Sequence, residues 1–187
     1  VDRWGNAFSA TPSDANTRAP IVPDLGFSLS SRGTQTWLDP NHASKLEPGK
    51  RPRLTPNPAI AFKNGELFMP FGCPGGDAQC QAMVQTFLNI AVFGMDPQTA
   101  IEAPRFSSWS FPDSFWPHDY LPGRLHVENR IRQAITDELS RRGHDIRRVE
   151  GWEPMDMGVM SAITVDPHTG LLSGGADPRR DTYAIGR

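Results

Sequence analysis

The stretch from Ala59 to Phe87 constrains the fold of this chain most tightly. Ala59-Ile60-Ala61-Phe62 and Leu67-Phe68-Met69 are short apolar runs separated by Lys63-Asn64-Gly65-Glu66. Asn-Gly between two such runs is the strongest short-range hairpin signal, because the tight turn needs positive φ at both central positions. Gly72-Cys73-Pro74-Gly75-Gly76 then makes a second tight turn, and Asp77 stands as an N-cap candidate before a helix over 78–93. On that helix Met83, Phe87, Ile90 and Ala91 recur at three- and four-residue spacing, the pattern of a buried stripe.

Similar signals run through the rest of the chain. Residues 1–10 read as a short strand pair turning at Gly5-Asn6, and Pro97 opens a helix over 97–103. Leu125-His126-Val127 reads as a strand. A helix over 130–142 carries Ile131, Ala134, Ile135 and Leu139 on one face and stops at Gly143. Strands follow at 145–150, 159–166 and 171–175, the last two joined by a turn over 166–170. There are no internal repeats. Strand pairs flanking two central helices give an α+β class, with helices packed on antiparallel sheet.

The 187 residues make a single domain, 1–187, long enough to bury a core alone or to form half of a larger one. The 18 prolines and 17 glycines cluster, and 11–58 holds many prolines and few periodic runs. A loop-rich stretch of that length is functional or lies across a partner. Residues 104–123 are aromatic and proline-rich, a composition more typical of core or interface than of a cofactor box.

Charge excludes some function classes. Lys and Arg (19) nearly balance Asp and Glu (21), and they are mixed along the chain, so no nucleic-acid footprint is present. Lys50-Arg51-Pro52-Arg53, the densest basic run, reads as a solvated loop. No apolar run has the length of a membrane span. The start at Val1, without Met or a charged-then-apolar leader, suggests a processed or trimmed product or one piece of a longer polypeptide. Cys73 and Cys80 are too few for a disulfide framework and read as free thiols, which leaves the compartment open. The five histidines, at 42, 118, 126, 144 and 168, have no paired spacing, so no metal site is expected. No cofactor is implied, and no phosphate-binding Gly-rich Lys motif occurs.

Two elements remain open to chemistry. Gly75-Gly76 follows a strand and precedes a helix, so its backbone N–H groups can point at a developing negative charge, as an oxyanion hole requires. Strand-to-helix connections also use glycine for steric reasons alone. Cys73 is a nucleophile by residue type, yet no histidine lies near it in sequence to act as base. A structural thiol is the competing reading.

Five segments together carry a resemblance. Val1-Asp2-Arg3-Trp4-Gly5-Asn6-Ala7 resembles the strand just after the nucleophile of gamma-glutamyltranspeptidases. Pro48-Gly49-Lys50-Arg51-Pro52, Gly72-Cys73-Pro74-Gly75-Gly76, Ala103-Pro104-Arg105-Phe106 and Gly175-Ala176-Asp177-Pro178-Arg179-Arg180 resemble further family blocks in the same order. The resemblance implies a four-layer αββα sandwich of N-terminal-nucleophile type, two stacked antiparallel sheets with helices outside. It implies a precursor that cleaves itself into two chains, this one being the small subunit, whose core is completed by a large subunit from the same precursor. That partner is expected to supply an arginine for the substrate carboxylate. The family's nucleophile is a threonine at the new N-terminus, with its own α-amine as base. The resemblance places it a few residues upstream of Val1.

Site roles follow from the same resemblance. Gly75 and Gly76 fall on the oxyanion-hole pair, and Ser13 falls where a hydroxyl orients the threonine amine. Thr55 is the second of two neighbouring residues that grip the glutamyl carboxylate; the first is Leu54, which cannot hydrogen-bond. Asp77 joins the substrate-binding set. Where the family holds the glutamyl ammonium with acidic and amide groups, this chain has Gln35, Arg32 and Ala15. A buried ammonium without a carboxylate partner is costly, and Arg32 repels it. An acyl chain ending in a carboxylate or carbonyl, of glutaryl type, suits these residues better. The expected activity is therefore hydrolysis or transfer of a small acyl or gamma-glutamyl amide through an acyl-enzyme, to water or an amine acceptor. A glutathione-type gamma-glutamyl transferase and a non-catalytic binding relative are the alternatives.

Overall fold

The computed structural model describes residues 1–12, 19–152 and 154–186, with Met155 by its backbone. Strands β1 (Ala59–Lys63) and β2 (Glu66–Gly72) form the expected hairpin, with Asn64 at φ 54 and Gly65 at φ 86. These are the two positive φ angles that an Asn-Gly turn provides at low cost. A register shift at Ala61/Phe62 places one extra residue on β2. β2 leads through the glycine turn into α1 (Ala78–Ala91), and α2 (Pro97–Glu102) follows, its first turn capped by the Asp96 carboxylate accepting from Thr99 N at 3.0 Å.

The chain then forms β3 (Phe106–Ser108), β4 (Arg124–Glu128), α3 (Gln133–Arg141), β5 (Asp145–Val149), the short α4 (Pro154–Met157), β6 (Ser161–Val165) and β7 (Leu172–Ala176). The larger sheet has the order β1-β2-β6-β7 and is antiparallel throughout. α1 and α2 pack on it, burying Met69, Ala82, Met83, Ile90, Ala100, Ile101, Met160 and Ala162. The architecture is α+β, as expected.

Four local expectations need correction. The smaller sheet, β3-β4-β5, is not wholly antiparallel: β4 and β5 run parallel, because α3 lies between them and returns the chain to the same end. Residues 1–10 form no strand pair. The Asp2 carboxylate instead takes the N–H groups of Trp4 and Asn6, both at 2.9 Å, and closes a local turn. The buried stripe of α1 runs through Gln79, Ala82, Met83, Thr86 and Ile90, while Ala91 is exposed; small Ala82 and Thr86 face inward. Asp77 does not cap α1. Its carboxylate is drawn to the aromatic loop, where Oδ2 accepts from Ser114 N at 2.6 Å.

Candidate active site

The glycine turn is built by close backbone approach. Gly75 has φ 134, and a Cβ added there would lie 2.9 Å from Gly158 Cα. Gly158, at φ 66, is itself packed so tightly that its own Cβ would meet Cys73 Sγ at 2.6 Å. Val159 N donates to Pro74 O at 3.1 Å across the same contact. The close approach of the two segments and their positive φ angles therefore require glycine at 75 and at 158.

A buried ionic cluster fixes Gly158 from behind. Arg105 Nη1 donates to Met157 O at 3.0 Å and to Gly158 O at 3.1 Å, while its Nη2 pairs with Asp177 Oδ2 at 2.6 Å. Asp177 also accepts from Met160 N and from Arg179, and Arg179 Nε donates to Glu128 Oε1 at 2.6 Å. Arg105, Asp177, Arg179 and Glu128 are all buried. Charges without water survive only when paired and hydrogen-bonded, and each of these side chains is held by several partners. The segments around Arg105 and Asp177 were visible in the sequence, but neither carried a role there; in space they meet and brace the glycine turn.

The turn opens on a cleft of about 1740 Å³ that runs along β2, β6 and β7 and is bordered by the N-terminal segment. Gly75, Gly76, Thr55 and Arg32 all line it. Among the described residues no acceptor takes the Gly75 N–H. The Gly76 N–H faces the side chain of Gln79, whose amide, oriented to complement its neighbours, accepts from it at 3.1 Å.

The acyl-end candidates Arg32 and Thr55 line the same cleft. A 3-10 turn over Ser31–Gln35 places Arg32 and Gln35, both buried, side by side. Arg32 Nη1 donates to Gln35 Oε1 at 2.9 Å and to Thr55 Oγ1 at 3.0 Å, and Gln35 Nε2 donates to Ser114 Oγ at 3.2 Å. Ser114 in turn reaches Asp77, whose other oxygen faces Arg53 at 3.4 Å. Rings tie this loop-rich region to the rest: Trp37 stacks between His42 and His118 at 4.1 and 4.0 Å. Thr55, Arg32 and Gln35 thus form one connected set, with Asp77 at its edge. Leu54 lies on the neighbouring surface, exposed and without a polar group. Ser13 and Ala15 lie outside the described residues.

Cys73 has the surroundings of a structural thiol. It is fully buried, its Sγ lies 3.0 Å from Pro74 O, and burial pushes the thiol up to about 12, so it stays protonated near neutrality. Cys80 is an exposed free thiol. Lys50, Arg51 and Arg53 are exposed, as a solvated loop requires. Among the described residues no cluster of three metal-ligating side chains occurs, and no helix is long and apolar enough to cross a membrane.

The site is thus a glycine turn facing an open cleft on an α+β sheet-and-helix fold. The family model described as Gamma-glutamyltranspeptidase matches residues 1–187, and the chain belongs to that family. The chain is 37% identical over 188 residues to a glutathione hydrolase-like YwrD proenzyme of Bacillus subtilis, covering 100% of this chain and 34% of that protein. It is 30% identical over 183 residues to the acylase ACY 1 proenzyme of a Pseudomonas species, covering 97% of this chain and 30% of that protein. A crystal structure of a Helicobacter pylori gamma-glutamyltranspeptidase mutant superposes with a TM-score of 0.80 at 28% identity, over 96% of this chain and 97% of that one. The chain spans about a third of the length of the curated relatives it matches.

Proposed function

We propose that this chain is the small subunit of a self-processing amidohydrolase of gamma-glutamyltranspeptidase type. In this reading a threonine preceding Val1 becomes N-terminal when the precursor cleaves. Its hydroxyl attacks the amide carbonyl, its α-amine takes the hydroxyl proton, and the leaving amine departs with a proton. Water or a second amine then attacks the acyl-enzyme and restores the threonine. The observation that carries the reading is the glycine turn: Gly75 lines the cleft, is held against Gly158, and has an N–H that no described group accepts. A fixed donor of this kind stabilises the oxyanion without reorganising during the reaction. Gly76 is the second donor when its N–H is shared between Gln79 and the oxyanion, and Ser13 orients the threonine amine.

The large subunit from the same precursor completes the single domain that residues 1–187 begin. Trp4, Phe8, Tyr183 and Ile185 are 71%, 83%, 81% and 91% exposed around the cleft, the kind of apolar surface that a partner covers. Both relatives above are named as proenzymes, which fits a chain cut from a longer precursor.

The substrate is a small amide whose acyl chain ends in a carboxylate, of glutaryl type. What supports this is Arg32, a guanidinium that lines the cleft and bonds Gln35 and Thr55, and that suits an acyl-chain carboxylate better than a gamma-glutamyl ammonium. The relatives' names, glutathione hydrolase-like and acylase, span both options, and Arg32 favours the acylase side. Full-length protein assayed on glutaryl- and gamma-glutamyl-p-nitroanilide tests this. The expected result is a higher kcat/KM for the glutaryl substrate. Arg32→Gln should erode that preference by roughly tenfold or more, the worth of one hydrogen bond to a charged group. A strong preference for the gamma-glutamyl anilide would return the enzyme to glutathione-type chemistry.

A further inference from the structure

We infer that Gln79 is a positioning residue that fixes the distance between the oxyanion donors and the acyl-end site, and so selects acyl-chain length. The inference rests on the function proposed above. Gln79 lies in the first turn of α1 and is only 5% exposed, an unusual place for a long amide. A helix that merely packed on the sheet would carry an apolar side chain there.

The partners explain its presence. The Gln79 amide nitrogen lies 2.7 Å from Cys73 O, 2.7 Å from Asn57 Oδ1 and 3.1 Å from Thr55 O, while its oxygen accepts from Gly76 N at 3.1 Å. One amide therefore bonds both ends of the glycine turn and the segment that carries Thr55. Thr55 in turn accepts from Arg32 at 3.0 Å. Turn, Thr55 and Arg32 form one connected unit, and Gln79 is the joint between its two halves. A buried amide with both ends satisfied is rigid, because releasing either end leaves a desolvated polar group. The carbonyl of a bound acyl chain would sit at the glycine end and its carboxylate at the Arg32 end, so this joint sets the span that the chain must bridge.

Two variants of the full-length protein separate the halves of the joint. Gln79→Met removes both; Gln79→Glu keeps an oxygen for Gly76 N–H but has no N–H for Cys73, Asn57 and Thr55. The readouts are hydrogen exchange at the Gly76 amide, the thermal midpoint, and kcat and KM on succinyl, glutaryl and adipyl anilides. In Gln79→Met, Gly76 exchange should rise, the midpoint should fall modestly as the Cys73 and Thr55 carbonyls lose their donor, and the kcat/KM ratio between the best chain length and its neighbours should fall roughly tenfold, out of proportion to that drop. In Gln79→Glu, Gly76 should stay protected while length selection is lost. A residue that only supports folding would lower the midpoint and all three activities in proportion, and that result overturns the inference. So does a Gln79→Glu variant with parental length selection, which also decides the matter where Gln79→Met fails to fold. If the parent hydrolyses no acyl anilide, the proposed function fails by itself. Gly76 exchange then still judges the joint: a rise in the Met variant alone supports it, and no rise in either overturns it.

Discussion

Replacing Gly75 by alanine should separate the geometry of the glycine turn from its mere flexibility. The new Cβ would stand 2.9 Å from Gly158 Cα and 3.5 Å from Gly158 N, and the φ of 134 is one that side chains rarely adopt. The backbone strain alone is about 1–3 kcal/mol. Relief requires movement, and Gly158 cannot supply it: Arg105 holds its carbonyl at 3.1 Å and Cys73 Sγ fills the space behind it. Gly75 must therefore turn, taking its N–H off line. Loss of one oxyanion donor typically lowers kcat by about 10²–10³, with little effect on ground-state binding. Gly76→Ala is the internal control, since its Cβ would make an ordinary 3.6 Å contact with Phe115 Cε2 and the φ of 56 is a left-handed one. Its cost should be about 1–2 kcal/mol of stability. Steady-state kinetics and urea unfolding on both full-length variants measure the contrast. A Gly75→Ala enzyme with parental kcat would refute the placement of the donor, whatever its stability.

Three further outcomes follow from the structure. Asp177→Asn leaves the buried Arg105 and Arg179 facing a neutral amide, and urea unfolding should report a loss of about 3–5 kcal/mol. Iodoacetamide should label the exposed Cys80 in the native protein and reach Cys73 only after unfolding, and Cys73→Ala should keep activity, as mass spectrometry and assay will show. Burial pulls the His126 imidazole below its usual 6.5, against the opposing pull of Asp156 at 2.9 Å. The unfolded chain then binds a proton that the folded one refuses. Stability should fall as pH drops below 6.5, and His126→Gln should flatten that slope in unfolding curves taken across the range.

Local signals in the sequence were legible where the chain decides its own geometry. Asn64-Gly65 dictated a hairpin, Pro97 opened a helix, and Gly72 to Gly76 marked the turn into α1, because each depends on backbone angles set by the residues themselves. Where a side chain had a distant alternative, sequence reasoning missed it. Asp77 has the composition of an N-cap, but Ser114, 37 residues away, offers it a better-placed donor. Asp2 spends its carboxylate on its own turn, so the expected N-terminal strand pair never forms. The parallel β4–β5 pair depends on how α3 returns the chain, which periodicity does not record. The site was half visible. Gly75, Gly76, Thr55, Arg32 and Gln35 came from resemblance and do line or adjoin one cleft. Gln79 was hidden, because a glutamine in a helical stretch looks like surface until its burial is seen. Arg105 and Asp177 sat in recognisable segments, but their pairing spans 72 residues and is invisible along the chain.

The most direct test of the whole account is the state of freshly expressed full-length protein, read by intact mass and N-terminal sequencing. The account predicts two chains, the smaller starting with a threonine a few residues before Val1. A precursor that stays whole, or a small chain whose first residue bears neither hydroxyl nor thiol, would leave the cleft without a nucleophile and contradict the proposed chemistry.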